Sequence, residues 1–162
     1  MIYGLEFDSK YYGNRYDVGL TFGLLETWVD DFEFDLGIGS SQKAGNREMA
    51  MSPNLNGSIS FLAYLRQDLY VNIVNTYKSE YYFSDSHDFM SDSYSVTNFS
   101  VSKVVDDFKI SFWAKNIFDE RYAVRGFYFG LIPPNYEDKL WISYGDPKQV
   151  GISIRYSFND SF

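Results

Sequence analysis

The stretch KQVGISIRYSF, residues 148–158, alternates almost without error. Val150, Ile152, Ile154, Tyr156 and Phe158 fall on one parity, and Gln149, Gly151, Ser153, Arg155 and Ser157 on the other. Successive side chains of a β-strand point to opposite faces, so the pattern makes one apolar and one polar face. Either the core of a soluble sandwich or lipid can take up such an apolar face. The rest of the chain has to decide between them.

The same period recurs upstream. IYGLEFDSKYY (2–12) and YDVGLTFGL (16–24) alternate on either side of a short Gly/Asn turn of hairpin type. LNGSISFLAYL (55–65) and LYVNIVNTYKSEYYF (69–83) alternate around Arg66, Gln67 and Asp68. Ile59, Leu62, Leu65, Leu69 and Ile73 also approximate helical spacing, but the sustained period of two and the Tyr, Val, Ile and Thr content predict strands. YSVTNFSVSKV (94–104) carries a flaw: Tyr94 and Val96 are on one parity, Phe99 and Val101 on the other, which predicts a bulge near Asn98. FKISFWAK (108–115) is regular. The expectation is seven strands, with irregular connections over 30–53 and 116–147 and a polar loop over 84–92.

Connection lengths then alternate: short, long, short, medium, short, long. A soluble sandwich has no reason to place its short turns at one end, whereas a transmembrane barrel has short periplasmic turns and long outer loops. The predicted class is all-β, an antiparallel up-and-down segment of a transmembrane β-barrel. Turns at 12–15, 66–68 and 105–107 face the periplasm, and 30–53, 84–92 and 119–146 face outward.

Composition fits. Fifteen Tyr, fifteen Phe and three Trp make up 20% of the 162 residues. Aromatic residues favour strands and membrane interfaces. No run of eighteen apolar residues occurs, which argues against a transmembrane helix, and a mean hydropathy of −0.30 is compatible with strands apolar on alternate positions only. The net charge of −8 and the lack of a basic patch argue against nucleic acid. The absence of Cys removes disulfides, thiolate metal sites and thiol nucleophiles. Residues 1–20 do not read as a signal peptide.

Several stretches carry a family resemblance. NIFDERY (116–122) resembles the Asn-Leu-Phe-Asp-x-x-Tyr segment near the C-terminus of TonB-dependent outer-membrane receptors. YGDPKQVGISIRYSF (144–158) resembles their final block, a Gly-x-Pro-Arg turn and an alternating strand ending in an aromatic residue. YGLEFD (3–8), GLLETWVDDF (23–32) and GNREMAMSPNLNGSISF (45–61) look like a Gly-x-Glu strand, a strand leaving for an outer loop, and the segment that enters the next strand. Two departures stand out: Ser52 replaces the usual Ala before the proline, and NDSF extends past Phe158, Phe162 keeping its parity.

The resemblance implies that residues 1–162 are the C-terminal portion of a receptor barrel, with the plug domain absent from this chain. It implies a place in the outer membrane of a Gram-negative bacterium and a part in active uptake of a ferric siderophore, haem, cobalamin or an oligosaccharide. The partners it implies are lipid, the remaining strands and plug, and an inner-membrane energy-transducing complex reached through a missing N-terminal part. A porin-like channel and a soluble carbohydrate-binding sandwich are the alternatives.

The sequence holds no nucleophile–base pair, Gly-rich phosphate loop or ligand-spaced cluster, so no enzyme, cofactor or metal site is expected. His87 among Asp85, Asp88 and Asp92 reads as a solvated loop, and Asp119, Glu120 and Arg121 as rim charges beside Phe118 and Tyr122. Lys78, Glu80, Lys109, Lys115 and Arg155 share the polar faces of their strands and are expected to line the lumen. Phe127, Tyr128, Phe129, Tyr136, Trp141 and Tyr144 are the candidates for substrate contact, with an aromatic girdle as the structural alternative.

Overall fold

The computed structural model describes residues 1–37, 40–130 and 132–158. It contains strands β1 (Ile2–Tyr12), β2 (Tyr16–Thr27), β3 (Phe32–Gly37), β4 (Ser40–Ala44), β5 (Leu55–Tyr64), β6 (Leu69–Lys78), β7 (Tyr94–Val105), β8 (Phe108–Lys115), β9 (Ala123–Phe129), β10 (Lys139–Tyr144) and β11 (Gln149–Tyr156). No helix occurs among the described residues.

Seven strands form one antiparallel sheet in the order β1-β2-β5-β6-β7-β8-β11, and two two-stranded hairpins, β3–β4 and β9–β10, stand apart from it. Each sheet strand pairs with its successor in the sheet. The tight connections are 13–15, 65–68 and 106–107; the excursions are 28–54, 79–93 and 116–148. Short and long connections therefore occupy opposite ends of the sheet, as the sequence predicts.

The register sorts every side chain onto a face. Directly paired residues of an antiparallel ladder share a face. One row runs Tyr11, Val18, Phe61, Ile73, Phe99, Ala114, Val150 across all seven strands, and the next runs Tyr16, Ala63, Val71, Val101, Phe112, Ile152. These rows form one continuous apolar face. Ile152 and Ile154 on it are 70% and 68% exposed. Among the described residues no second sheet lies against it, so the sandwich alternative does not describe this fold. The opposite face carries Asp8, Thr21, Ser58, Thr76 and Val96 in one row and Lys109 with Arg155 in another.

At the short-turn end the apolar face closes with aromatic rings. Tyr156 lies 4.8 Å from Phe108 and 4.6 Å from Phe158, and Tyr16 lies 5.7 Å from Tyr11 and 5.9 Å from Phe61. On the polar face Gly151 leaves room for the Trp113 ring; a Cβ there would overlap it. The Trp113 indole donates to Ser153 Oγ at 2.9 Å.

Three expectations need correction. No bulge occurs near Asn98: β7 keeps unbroken register with β6 from Tyr94 to Lys103. Tyr94 and Val96 simply lie on the polar face, where Val96 is buried. The strand expected over 69–83 ends at Lys78, and the chain then forms a loop whose Tyr82 bridges Met90. The excursions expected to be irregular each carry a hairpin, β3–β4 and β9–β10. The expectation for Phe162 falls outside the described residues.

Among the described residues the buried hydrophobic side chains are Ala44, Tyr81, Phe83, Val96 and Ala114. A soluble protein would put such residues between layers. Here they gather at the long-loop end.

Candidate functional site

Two regions at the long-loop end combine chemistry with shape. The first is a recess on the polar face where β6, β7 and β8 leave the sheet. It has a volume of about 370 Å³ and is lined by Lys78, Tyr94, Asn98, Lys115, Tyr122 and Asp146, among others. Strand periodicity brings Lys78, Tyr94 and Lys115 to one side: Lys78 pairs with Tyr94, and Lys115 stands two strands away. Tyr122 reaches in from the loop after β8, its ring 4.5 Å from that of Tyr94. The recess offers two ammonium groups, the Asp146 carboxylate, two aromatic rings and amide groups, which suits a polar ligand with an aromatic part.

Asn116 holds the loop side of this recess. It is 2% exposed and has a left-handed backbone, φ 46°. Its Nδ2 donates to the carbonyls of Glu120 and Asp146 at 2.9 and 3.0 Å, and its Oδ1 accepts from the Glu120 N–H at 2.9 Å. Its own N–H donates to Asn98 Oδ1 at 3.0 Å. Asp119 Oδ1 accepts from the Lys148 N–H at 2.8 Å, and the Arg121 guanidinium lies 4.2 Å from the Tyr144 ring. The charges of NIFDERY thus pin the exit of β8 to the start of β11. Asn tolerates the left-handed region because its short amide bonds locally.

The second region is an assembly of the long connections. Segment 79–93 lies at its centre. Tyr81 is 2% exposed, donates its hydroxyl to the Ala123 carbonyl at 3.2 Å, and meets Phe83 edge-on at 5.7 Å. Phe83 stacks with Phe89 at 6.2 Å and covers Gly126, where a Cβ would collide with its ring. His87 stacks on Tyr128 at 3.6 Å, with Nε2 3.7 Å from Asp138. Arg47 crosses from the β4–β5 connection: it donates to the His87 carbonyl at 2.8 Å and to Asp88 Oδ1 at 2.7 Å, and lies over Tyr82 at 5.0 Å. Asp85 Oδ1 accepts from the Ala50 N–H at 2.7 Å. Burial pushes the Tyr81 phenol up, with a smaller lowering contribution from the nearby Ser91 hydroxyl. Burial, then the Asp88 charge, raises Tyr128.

The candidates from sequence divide between these regions and the surface. Phe127 pairs directly with Trp141, and with Phe129 they form one exposed face of the β9–β10 hairpin. Tyr128 is on the opposite face, against His87. Tyr136 is exposed in the turn, and Tyr144 sits beyond the Ser143/Tyr144 irregularity, against Arg121. Lys78, Lys109, Lys115 and Arg155 lie on the polar face. Glu80 lies past the end of β6, in a recess with Trp28, Arg47 and Tyr82, so its strand parity does not place it. Sequence reasoning missed Tyr94, Tyr122 and Asn116. The signals for this corner were the parity flaw at Tyr94 and Val96 and the NIFDERY motif that Asn116 and Tyr122 delimit.

No family model matches the sequence. Two solved structures share the fold. The ferric yersiniabactin uptake receptor FyuA from Yersinia pestis superposes with a TM-score of 0.74 at 14% identity, over 98% of this chain and 23% of that one. The siderophore receptor PiuA from Acinetobacter baumannii superposes with a TM-score of 0.76 at 12% identity, over 94% of this chain and 21% of that one. The chain spans less than a quarter of either receptor. In fold the chain matches a stretch of each of these two receptors, and the sequence resemblance is borne out at the level of fold.

Proposed function

We propose that this chain is the C-terminal wall segment of an outer-membrane receptor that takes up a scarce nutrient complex. The observation that carries the proposal is the uncovered apolar face, continuous over seven strands and closed at one end by aromatic rings. Burying such a face against another protein layer would leave the polar face outward. Lipid takes the apolar face and turns the polar face toward a lumen. The short turns then lie in the periplasm, and the loop assembly stands outside the cell.

The two fold neighbours are receptors for ferric yersiniabactin and for a siderophore, so a ferric siderophore is the favoured cargo. The recess between Lys78, Lys115, Tyr94 and Tyr122 and the aromatic face of Phe127, Phe129 and Trp141 supply cation and ring contacts for it. The segment performs no bond chemistry. It works with lipid, the other strands, a plug in the lumen and an inner-membrane energy source. The proposal is tested by iron-limited growth and uptake of labelled ferric siderophores in cells with and without the full-length gene. Equal uptake across a siderophore panel overturns the cargo, and extraction from membranes by high salt without detergent overturns the receptor.

A further inference from the structure

The β9–β10 hairpin has two unlike faces. One is packed: Gly126 lies under Phe83, Tyr128 stacks on His87, and the Ala123 carbonyl accepts the Tyr81 hydroxyl. The register puts Arg125 with Ser143, Phe127 with Trp141 and Phe129 with Lys139 on the other face. All of these are exposed. Lys139 Nζ lies 5.7 Å from the Trp141 ring. Among the described residues no ion pair holds Arg125 or Lys139. No carboxylate interrupts the three rows: Asp138 turns to His87 from the connecting turn, and Glu137 stands beyond the ladder.

Successive rows on one face of a ladder are two residues apart, about 7 Å, so the three rows extend over about 14 Å. Rings fill the middle of this strip and a cation stands at each end. In a chain of net charge −8 the strip is a local reversal of sign. The packed inner face holds the strip in place before anything binds, so binding has little left to order.

We propose that this face binds an acidic polysaccharide chain at the cell surface. Sugar rings lie with their apolar C–H faces on Phe127, Phe129 and Trp141, and their carboxylates reach Arg125 and Lys139. The inference goes beyond the cargo reading and rests on it only for the outward placement of the hairpin. Rings alone would suit any apolar partner, and cations alone any anion. A strip that carries both along its length calls for an extended ligand that repeats both. The Arg125 fork matches a carboxylate, and Lys139 supplies a point charge. Three rings to two cations match a polymer with fewer charges than rings. A nucleic acid carries a phosphate for every base, and the acidic chain around the strip opposes it.

The test uses the full-length protein in detergent micelles, titrated calorimetrically with hyaluronan hexasaccharide, which carries one carboxylate per disaccharide. Maltohexaose, a thymidine oligonucleotide and inorganic phosphate are the comparison probes. The hexasaccharide should bind, and maltohexaose about tenfold more weakly or not at all. Arg125→Gln with Lys139→Gln, and separately Phe127→Ala with Trp141→Ala, should each weaken the hexasaccharide by about tenfold or more. Molar salt should weaken the native protein and barely alter the charge variant. Phe118→Ala, 75% exposed elsewhere in the long connections, should leave binding unchanged. If a double variant does not assemble, Arg125→Gln or Trp141→Ala alone supplies the same readout at smaller amplitude. No binding of the hexasaccharide, or equal binding of maltohexaose, overturns the inference. Tighter binding of the oligonucleotide overturns it in favour of nucleic acid, and full competition by inorganic phosphate in favour of a small anion. A cysteine at Trp141 that resists an impermeant thiol reagent on whole cells, while one at Lys43 reacts, also overturns it, because the rest of the receptor then covers the strip. Each of these leaves the receptor reading standing; loss of ferric siderophore uptake on deleting the gene is read separately, and its absence sinks that reading alone.

Discussion

Replacing Asn116 with alanine removes three hydrogen bonds at once: two to the carbonyls of Glu120 and Asp146, and one from the Glu120 N–H. The side chain is almost fully buried, so water does not replace it at full value. At about 1 kcal/mol net per bond the loss is about 3 kcal/mol. Alanine in the left-handed region, φ 46° here, adds about 1 kcal/mol that asparagine largely avoids. Glycine adds no such strain, so Asn116→Gly should lose about 3 kcal/mol and Asn116→Ala about 4. Asn116→Asp keeps the acceptor for Glu120 but turns an oxygen toward two carbonyls, and should cost at least as much as alanine. The damage should be local, at the 116–123 and 146–150 segments, with the sheet intact. Hydrogen exchange of the full-length protein, read peptide by peptide, measures it. About 3 kcal/mol corresponds to a more than hundredfold rise in local opening. Exchange within twofold of native for Asn116→Ala, or faster exchange for Gly than for Ala, would refute the reasoning.

Other substitutions test separate claims. Ile152→Arg should cost about 2–4 kcal/mol by placing a charge in lipid, and Ser153→Arg much less because Arg155 already occupies that face; a heat-modifiable gel shift compares them, and equal damage defeats the lipid assignment. Tyr81 is raised by burial, so the folded loops favour its neutral form. That stability is fully present below the ordinary phenol range near pH ~10 and is lost as pH rises through the raised value. Protease cutting of the outer loops should therefore increase at strongly alkaline pH, and Tyr81→Phe should lessen the increase; an unchanged pH profile would count against it. Cysteines at Lys43 and Glu137 should react with an impermeant thiol reagent on whole cells while one at Asn14 should not, and the reverse labelling would invert the topology.

The sheet was legible because its strands are amphipathic, and a register slip would move every Ile and Phe of a strand to the wrong face. Connection lengths supplied the topology. The loops were less legible for physical reasons. AVRGFYF and KLWISY alternate too weakly to separate from the excursion that holds them, and β9 and β10 pair only with each other. Tyr94 and Val96 broke the alternation because they lie on the polar face at the long-loop end, where Val96 is buried and Tyr94 meets the loop ring of Tyr122; a bulge was the local explanation for a tertiary effect. Asn116 opens the NIFDERY motif, but its role as an anchor was not legible because two of its partners, Asn98 and Asp146, are 18 and 30 residues away. Glu80 was misplaced by extending a period beyond the point where the chain leaves its ladder.

Every excursion leaves one strand and returns on its immediate neighbour. Its two feet therefore stand about 4.8 Å apart whatever its length, and doubling a flexible loop costs only about 0.6 kcal/mol in closure entropy. The sheet and the long connections can then diverge at different rates. Selection can lengthen, shorten or exchange β3–β4 or β9–β10 without disturbing a single pair of the seven-stranded sheet.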